Sequence, residues 1–454
     1  MMVPVLHDYQ KRAVDFVDSN THACLLLEMG LGKSLITLTA ISRLINDVMV
    51  CKVLVVAPKK VAESTWTDEV GKWDTLRHLR VSKVMGTEKQ RIAALNTDAD
   101  IYVIGRDSFV WLVKYCKAIM PFDMLVIDEL TSFKSNTSQR FKAMRLVRGQ
   151  FNRIVGLTGT PAPNGYMDLW AEMYCIDGGE ALGKFITHYR RDYFNVRTGP
   201  QGYILNASLK PGAKESIDRL ISPMCISMQA RDYLSLPERQ DIIRHVCLPE
   251  SVMKRYRKFE HDMVMEIKDD ERITASNAAA LLGKLMQFAN GAVYTEEHDY
   301  EEMHGEKVEA LLEIVEEAKS PVLVFYQYKH DTERIRKAMG KDCKVVEYKS
   351  EEDLRAWNEG KIDVLLAHPS SCAYGLNMQY GGHIIVWFGV GYNLELYEQA
   401  CARLYRQGQK MSVQIYHLIC PGTADEKAIA ALRSKSSTQE TIMRDLKDII
   451  DRCR

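Results

Sequence analysis

Short apolar runs of strand length, each followed by a helix-like stretch, recur along almost the whole chain, and they constrain the fold more than any other feature. In the first half they are Ala23 to Leu27, Val53 to Ala57, Ile101 to Ile104, Met124 to Ile127 and Ile154 to Leu157. After a boundary at Ser235-Leu236-Pro237 come Ile242 to Leu248, Val322 to Phe325, Val345-Val346, Val364 to Ala367, Ile384 to Phe388 and Val413 to Leu418. Continuous apolar strands alternating with helices predict parallel sheets covered on both faces. With 454 residues the chain is too long for one core. The expected architecture is α/β, with two tandem lobes of similar plan, 1–236 and 237–454, each a parallel sheet flanked by helices. A helical insertion is expected at about 165–230, another helical segment at about 250–290, and a C-terminal helix at about 424–454.

In such sheets ligands bind beyond the carboxyl ends of the strands. Those ends carry the informative residues. After Ala23–Leu27 the chain reads Glu28-Met29-Gly30-Leu31-Gly32-Lys33-Ser34, then the helical run Leu35, Ile36, Leu38, Ile41, Leu44. Glycines let a backbone wrap closely around a phosphate, and the amides of a starting helix point at it. Lys33 adds a mobile charge and Ser34 a hydroxyl for Mg²⁺. The strict form G-x-x-x-x-G-K-[ST] has Gly where this chain has Leu27, and a glycine turn before a helix can be only a turn.

Two other strand ends converge on the same chemistry. Met124–Ile127 runs into Asp128-Glu129, and Ile154–Leu157 into Thr158-Gly159-Thr160-Pro161. Paired carboxylates after a strand suit phosphoryl transfer, with Asp128 holding Mg²⁺ and Glu129 orienting the attacking water. Upstream, Tyr9 can stack on a base while the Gln10 amide offers a donor and an acceptor. In the second half, Gln399-Ala400-Cys401-Ala402-Arg403-Leu404-Tyr405-Arg406-Gln407-Gly408-Gln409 places Arg403 and Arg406 three apart, on one face if helical. Two such arginines aimed at a nucleotide held by the other lobe would be arginine fingers.

This ordered set resembles a superfamily 2 helicase-type ATPase, specifically the Swi/Snf-like branch, over essentially the whole chain. Leu6-His7-Asp8-Tyr9-Gln10 resembles the adenine-reading motif, Glu28 to Ser34 motif I, and Val56-Ala57-Pro58 through Trp66 motif Ia. Asp128-Glu129 matches the first half of motif II, and Leu157 to Pro161 resembles motif III. Val324 to Gln327 resembles motif IV, Ser371 through Asn377 motif V, and Gln399 to Gln409 motif VI. Such compact forms resemble those carried by phages and bacteria. The resemblance implies two RecA-like lobes with ATP and Mg²⁺ between them. ATP binding would fall to Tyr9, Gln10, Met29, Gly30, Leu31, Gly32, Lys33, Ser34, Gly375, Arg403 and Arg406. Catalysis would fall to Lys33, Asp128, Glu129, Arg403 and Arg406, with Ser34 and Asp128 on the metal. Thr158, Thr160 and Gln409 would couple nucleotide state to movement. Lys60, Arg106, Ser371 and Asn377 would touch a DNA backbone. Motif II departs from the branch at Leu130 and Thr131, and Thr131 lacks the imidazole that couples the γ-phosphate site to the other lobe.

The implied activity is nucleic-acid-dependent ATP hydrolysis driving movement on DNA, duplex rather than single-stranded. A strand-separating helicase, the motor subunit of a restriction or recombination system, and a non-catalytic nucleic-acid clamp are the alternatives. Bulk composition is neutral on this, since Lys+Arg and Asp+Glu are both 60. Eleven cysteines without a C-x-x-C pair argue against a zinc knuckle or a disulfide framework. Reduced thiols, no apolar run of membrane length and no signal-peptide pattern lead to an expected cytoplasmic location, the host cytoplasm if phage-encoded. A protein partner is not identified by the sequence.

Overall fold

The computed structural model describes residues 6–159, 166–198, 204–233, 236–269, 275–297, 299–341, 343–372 and 376–434. The chain divides into two compact units, Met1–Leu234 and Ser235–Arg454. Each is built on a parallel sheet flanked by helices, the α/β architecture that the alternating pattern predicts.

In the first unit the strands are β1 (His22–Leu27), β2 (Val53–Ala57), β3 (Val81–Val84), β4 (Ile101–Gly105), β5 (Met124–Asp128), β6 (Arg153–Thr158), β7 (Phe194–Thr198), β8 (Ile204–Leu209) and β9 (Cys225–Met228). Seven form one sheet in the order β3-β4-β2-β5-β6-β1-β9, and every pairing in it is parallel. All five residues of β2 and of β4 are buried, as helices on both faces require. That parallel arrangement puts the carboxyl ends of the strands on one edge of the sheet. Strands β3 and β9 close the two edges, and their alternating burial explains why no continuous apolar run announces them.

The stretch 165–230, expected as helices with a loop, also holds an antiparallel hairpin. β7 pairs with β8 from Phe194↔Leu209 to Thr198↔Ile204. The Gly199–Gly202 loop between these strands lies outside the described residues. Asn195, Arg197, Asn206 and Ser208 interrupt the apolar positions in alternation, a period-two pattern on a surface hairpin rather than a helical one.

In the second unit the strands are β10 (Arg239–His245), β11 (Ala292–Tyr294), β12 (Tyr300–Glu302), β13 (Val322–Phe325), β14 (Val345–Glu347), β15 (Val364–Ala367), β16 (Ile384–Trp387) and β17 (Val413–Ile419). Six form a parallel sheet in the order β10-β17-β16-β13-β15-β14. β10 begins three residues before the apolar run that predicts it, because it is an edge strand whose register is set by β17, with Arg239 opposite Val413. Helices Glu250–Asp269 and Ala275–Asn290 pack with Ala424 and Ala428 of helix Ala424–Ser434 in a core of their own, around Tyr256, Leu285 and Phe288. The remainder of the expected C-terminal helix lies outside the described residues. Lys307 is fully buried there; its ammonium meets Asp425 Oδ2 at 2.7 Å and Asn290 Oδ1 at 2.8 Å. A buried cation persists only when so paired. Among the described residues no helix is long and apolar enough to cross a membrane.

Candidate functional site

The glycine turn at the end of β1 is held in shape from both sides. Gly30 and Gly32 have φ of +86° and +80°, a region that residues with a Cβ rarely enter. Leu31 between them is fully buried, so an apolar plug anchors the turn. Its carbonyl accepts from the Tyr9 hydroxyl at 3.3 Å and from Gln10 Nε2 at 3.2 Å. Gln10 Oε1 in turn accepts from the His7 amide at 3.0 Å. The amide that the sequence assigns to adenine is thus engaged at both ends inside the chain, although an amide can make a second bond at each. A Cβ on Gly32 would stand 2.7 Å from Gln10 Nε2, so the turn and the Gln10 brace are one fitted piece. Tyr9 is buried against His7 and Tyr233, with ring centroids at 5.5 and 5.0 Å, and burial raises its hydroxyl pKa. Helix Lys33–Asn46 starts at the turn with Gly32 as its cap. Its first amides and the partly exposed Ser34 and Met29 face the same end of the sheet as the turn. Lys33 Nζ donates to the Leu27 carbonyl at 2.7 Å, which holds the ammonium against the turn.

Strand order brings the carboxylates beside this turn. β5, β6 and β1 are neighbours, with Asp128 opposite Leu157 and Leu26 opposite Thr158. Asp128 is the last residue of β5, and its Oδ2 accepts from Trp66 Nε1 at 3.0 Å. Burial raises the Asp128 pKa; the Trp66 bond, the nearby Lys33 charge and the Glu129 amide pull it down. Glu129 has φ +65°, strained for a residue with a side chain. Two buried threonines hold its carboxylate: Thr131 Oγ1 lies 3.1 Å and Thr158 Oγ1 3.4 Å from Oε1. Gly159 then passes over the turn, and a Cβ there would meet Lys33 Nζ at 3.5 Å and Met29 Cγ at 3.6 Å. Thr160 lies outside the described residues. In the sequence Trp66 enters only as part of a motif; its role as donor to Asp128 follows from the burial of its indole N–H, which needs an acceptor.

The backbone-contact candidates of this unit lie on the same sheet edge. Ala57 of β2 is opposite Gly105 of β4, so the segments carrying Lys60 and Arg106 are neighbours. Lys60 is exposed and precedes the π-helical segment Val61–Thr65, which runs into helix Trp66–Lys72. Arg106 opens the turn Arg106–Ser108, and its carbonyl accepts from Arg140 Nε at 3.3 Å.

In the second unit Arg403 and Arg406 do not stand on a helix. Helix Leu394–Cys401 ends before them, and both lie on turns leading to Gly408, whose φ is +97°. They nevertheless converge, because Nη1 of each donates to the Leu376 carbonyl, at 3.3 Å from Arg403 and 3.0 Å from Arg406. Arg403 is buried, and its Nε also donates to Gln399 O at 2.9 Å. That shared long-range acceptor, not helical spacing, sets the pair. Gln409 Nε2 donates to Gln379 O at 3.1 Å and Gly382 O at 2.9 Å, tying this loop to the one that precedes β16. Asn377 is exposed, and its carbonyl accepts from Asn358 Nδ2 at 2.8 Å. Ser371 is half-buried with its hydroxyl on His368 O at 2.7 Å. Gly375 lies outside the described residues.

The first unit therefore presents helix-start amides, an ammonium, a hydroxyl and two carboxylates at one sheet edge. That donor set fits a nucleotide phosphate chain with a hard cation. Among the described residues no group of three or more His, Cys, Asp or Glu could hold a metal alone. Mg²⁺ bound mainly through phosphates and water needs only one carboxylate and a hydroxyl, and Asp128 and Ser34 are the residues that would hold it.

A family model described as the SNF2-related domain matches residues 9–314. Protein p41 of Acyrthosiphon pisum secondary endosymbiont phage 1 is 35% identical over 458 residues, covering 98% of this chain and 98% of its own length. An uncharacterized ATP-dependent helicase of Mycoplasma genitalium is 24% identical over 470 residues, covering 97% of this chain but 42% of its own length, so this chain spans less than half of that relative. A solved Sulfolobus solfataricus SWI2/SNF2 ATPase core in complex with dsDNA matches with TM-score 0.47 and 20% identity, over 99% of this chain and 97% of that one.

Proposed function

This chain belongs to the SNF2-related family, and on that premise we propose that it is a DNA-dependent ATP hydrolase that moves along duplex DNA. The observation that carries the catalytic part is the meeting of Lys33, Asp128, Glu129 and Thr158 at adjacent strand ends around the Gly30–Gly32 turn.

In this reading the turn amides, Lys33 and Ser34 bind the phosphates of ATP, with Met29 and Leu31 shaping the loop around them and Tyr9 beside the base. Gln10 braces the loop and reads adenine through its remaining bonding capacity. Asp128 and Ser34 hold Mg²⁺, which when bound neutralises charge on the phosphates. Glu129 orients the attacking water and takes its proton. Arg403 and Arg406 supply positive charge to the transferring phosphoryl group, and Gly375 is a further ATP-binding residue. Thr158, Thr160 and Gln409 link nucleotide state to movement. Lys60, Arg106, Ser371 and Asn377 contact DNA phosphates, which makes binding salt-dependent and sequence-tolerant.

The test is the ATPase rate with duplex DNA, single-stranded DNA, RNA or buffer at matched salt, alongside a strand-displacement assay. Stimulation by duplex DNA without displacement is expected. Equal rates with duplex DNA and buffer would remove DNA from the reading. Displacement of the strands would make the protein a helicase.

A further inference from the structure

We propose that Arg140 is a positioning residue through which nucleic acid seated at Arg106 sets the geometry of Glu129. The inference rests on the roles proposed above for those two residues. Arg140 enters from the first turn of helix Gln139–Val147, where the Ser138 hydroxyl caps the Phe141 amide at 3.1 Å and fixes the helix start. Its side chain is only 23% exposed, and its guanidinium bridges two loops. On one side Nε donates to the Arg106 carbonyl at 3.3 Å and Nη2 to Asp107 Oδ1 at 2.8 Å. On the other, Nη1 donates to the Ser132 carbonyl at 2.9 Å, and the group lies 5.8 Å from the centre of the buried Phe133 ring. Ser132 and Phe133 belong to the turn Leu130–Phe133, whose cap is Glu129, and the Ser132 amide donates to the Glu129 carbonyl at 3.0 Å. A single side chain thus spans from the Arg106 backbone to the turn that carries Glu129.

The chemistry suits transmission. A planar guanidinium reaches three acceptors in fixed directions, which an ammonium cannot do. Arg106 and Arg140 repel one another: burial and then the Arg106 charge lower the Arg140 pKa, and Asp107 opposes them. A DNA phosphate arriving at Arg106 cancels that repulsion and lets the loop tighten on Arg140. The displacement is handed to Ser132 and so to Glu129, which already sits at a strained φ and responds to small movements of its turn.

The experiment measures ATP turnover against duplex DNA concentration for the full chain and for Arg140→Met, Arg140→Lys and Asp107→Ala. In Arg140→Met the DNA-independent rate and the half-stimulating DNA concentration are expected within about twofold of wild type, while the stimulated kcat falls about tenfold. Arg140→Lys is expected to fall similarly, since charge without the fork cannot bridge. Asp107→Ala, altered at a side chain 75% exposed, tests the same link without touching the core and should lose part of the stimulation. Full stimulation in Arg140→Met or in Arg140→Lys would overturn the proposal. So would basal and stimulated rates falling by one common factor, the mark of a merely structural role. Absence of stimulation in the wild-type chain would instead overturn the DNA reading itself, and this inference with it.

Discussion

The Thr131 hydroxyl donates to Glu129 Oε1 at 3.1 Å, and the Thr158 hydroxyl reaches the same oxygen at 3.4 Å. Thr131 stands where the Swi/Snf-like pattern has a histidine, yet it faces the carboxylate that would orient water. Both threonines are buried, so neither bond is in competition with bulk solvent. Thr131→Val keeps shape and removes the donor. It should lower kcat about tenfold, the size of one lost bond to a charged group, with KM for ATP little changed. Thr131→Ser should restore most of the rate. Equal activity of the Val and Ser variants in steady-state kinetics would show that the hydroxyl does not position Glu129.

Trp66 acts on the other carboxylate. Burial raises the Asp128 pKa, and the indole bond is one of the forces that lower it. Removing that donor in Trp66→Phe leaves burial less opposed. The carboxylate then takes up its proton at higher pH, and the acid limb of the pH–rate profile should move upward. An acid limb at the same pH in both proteins would exclude Asp128 as the group being titrated.

Lys33 and Arg406 should fail differently. Lys33→Ala removes the ammonium beside the turn, so both ATP binding and turnover should be lost. Arg406→Ala should keep ATP binding, followed with a fluorescent analogue, while turnover falls on the order of 10³-fold, as for an arginine finger. Loss of binding in Arg406→Ala would place that side chain in ground-state recognition or in the fold of its own loop, where it holds Leu376 O.

His417 gives the second unit a pH-dependent stability. It is buried, its Nε2 lies 2.9 Å from the Tyr397 hydroxyl, and burial lowers its pKa from 6.5 to about 4. The unfolded chain therefore binds a proton before the folded one does as pH falls. Stability from this group is complete above about 6.5 and is lost as pH drops from there towards 4, up to about 3 kcal/mol. Hydrogen exchange along β17 should accelerate over that window and do so less in His417→Asn. Acceleration of equal size in the variant would assign the effect to other groups.

Much of the scaffold was legible because its sheets are buried on both faces. Val53–Ala57, Val322–Phe325 and Val364–Ala367 coincide with β2, β13 and β15 since a strand with no solvent face is apolar at every position. Edge strands β3 and β9, with alternating burial, carried too little of that signal. The hairpin β7–β8 was missed because it belongs to neither sheet.

By itself the sequence determined the central, doubly buried strands and their alternation with helices, the glycine turn before helix Lys33–Asn46, and the placing of Asp128, Glu129 and Thr158 at strand ends. These follow from local periodicity and from what a backbone can do at Gly30 and Gly32. Tertiary structure alone decided which atoms meet. Trp66 reaches Asp128 across 62 residues, Arg140 reaches Arg106 across 34, and Arg403 and Arg406 meet at Leu376 across 27 and 30. Local spacing placed the two arginines on a helix, but a carbonyl on another loop set them instead. A hydrogen bond needs its partners within about 3 Å and in line. Only packing between distant segments brings side chains to that tolerance.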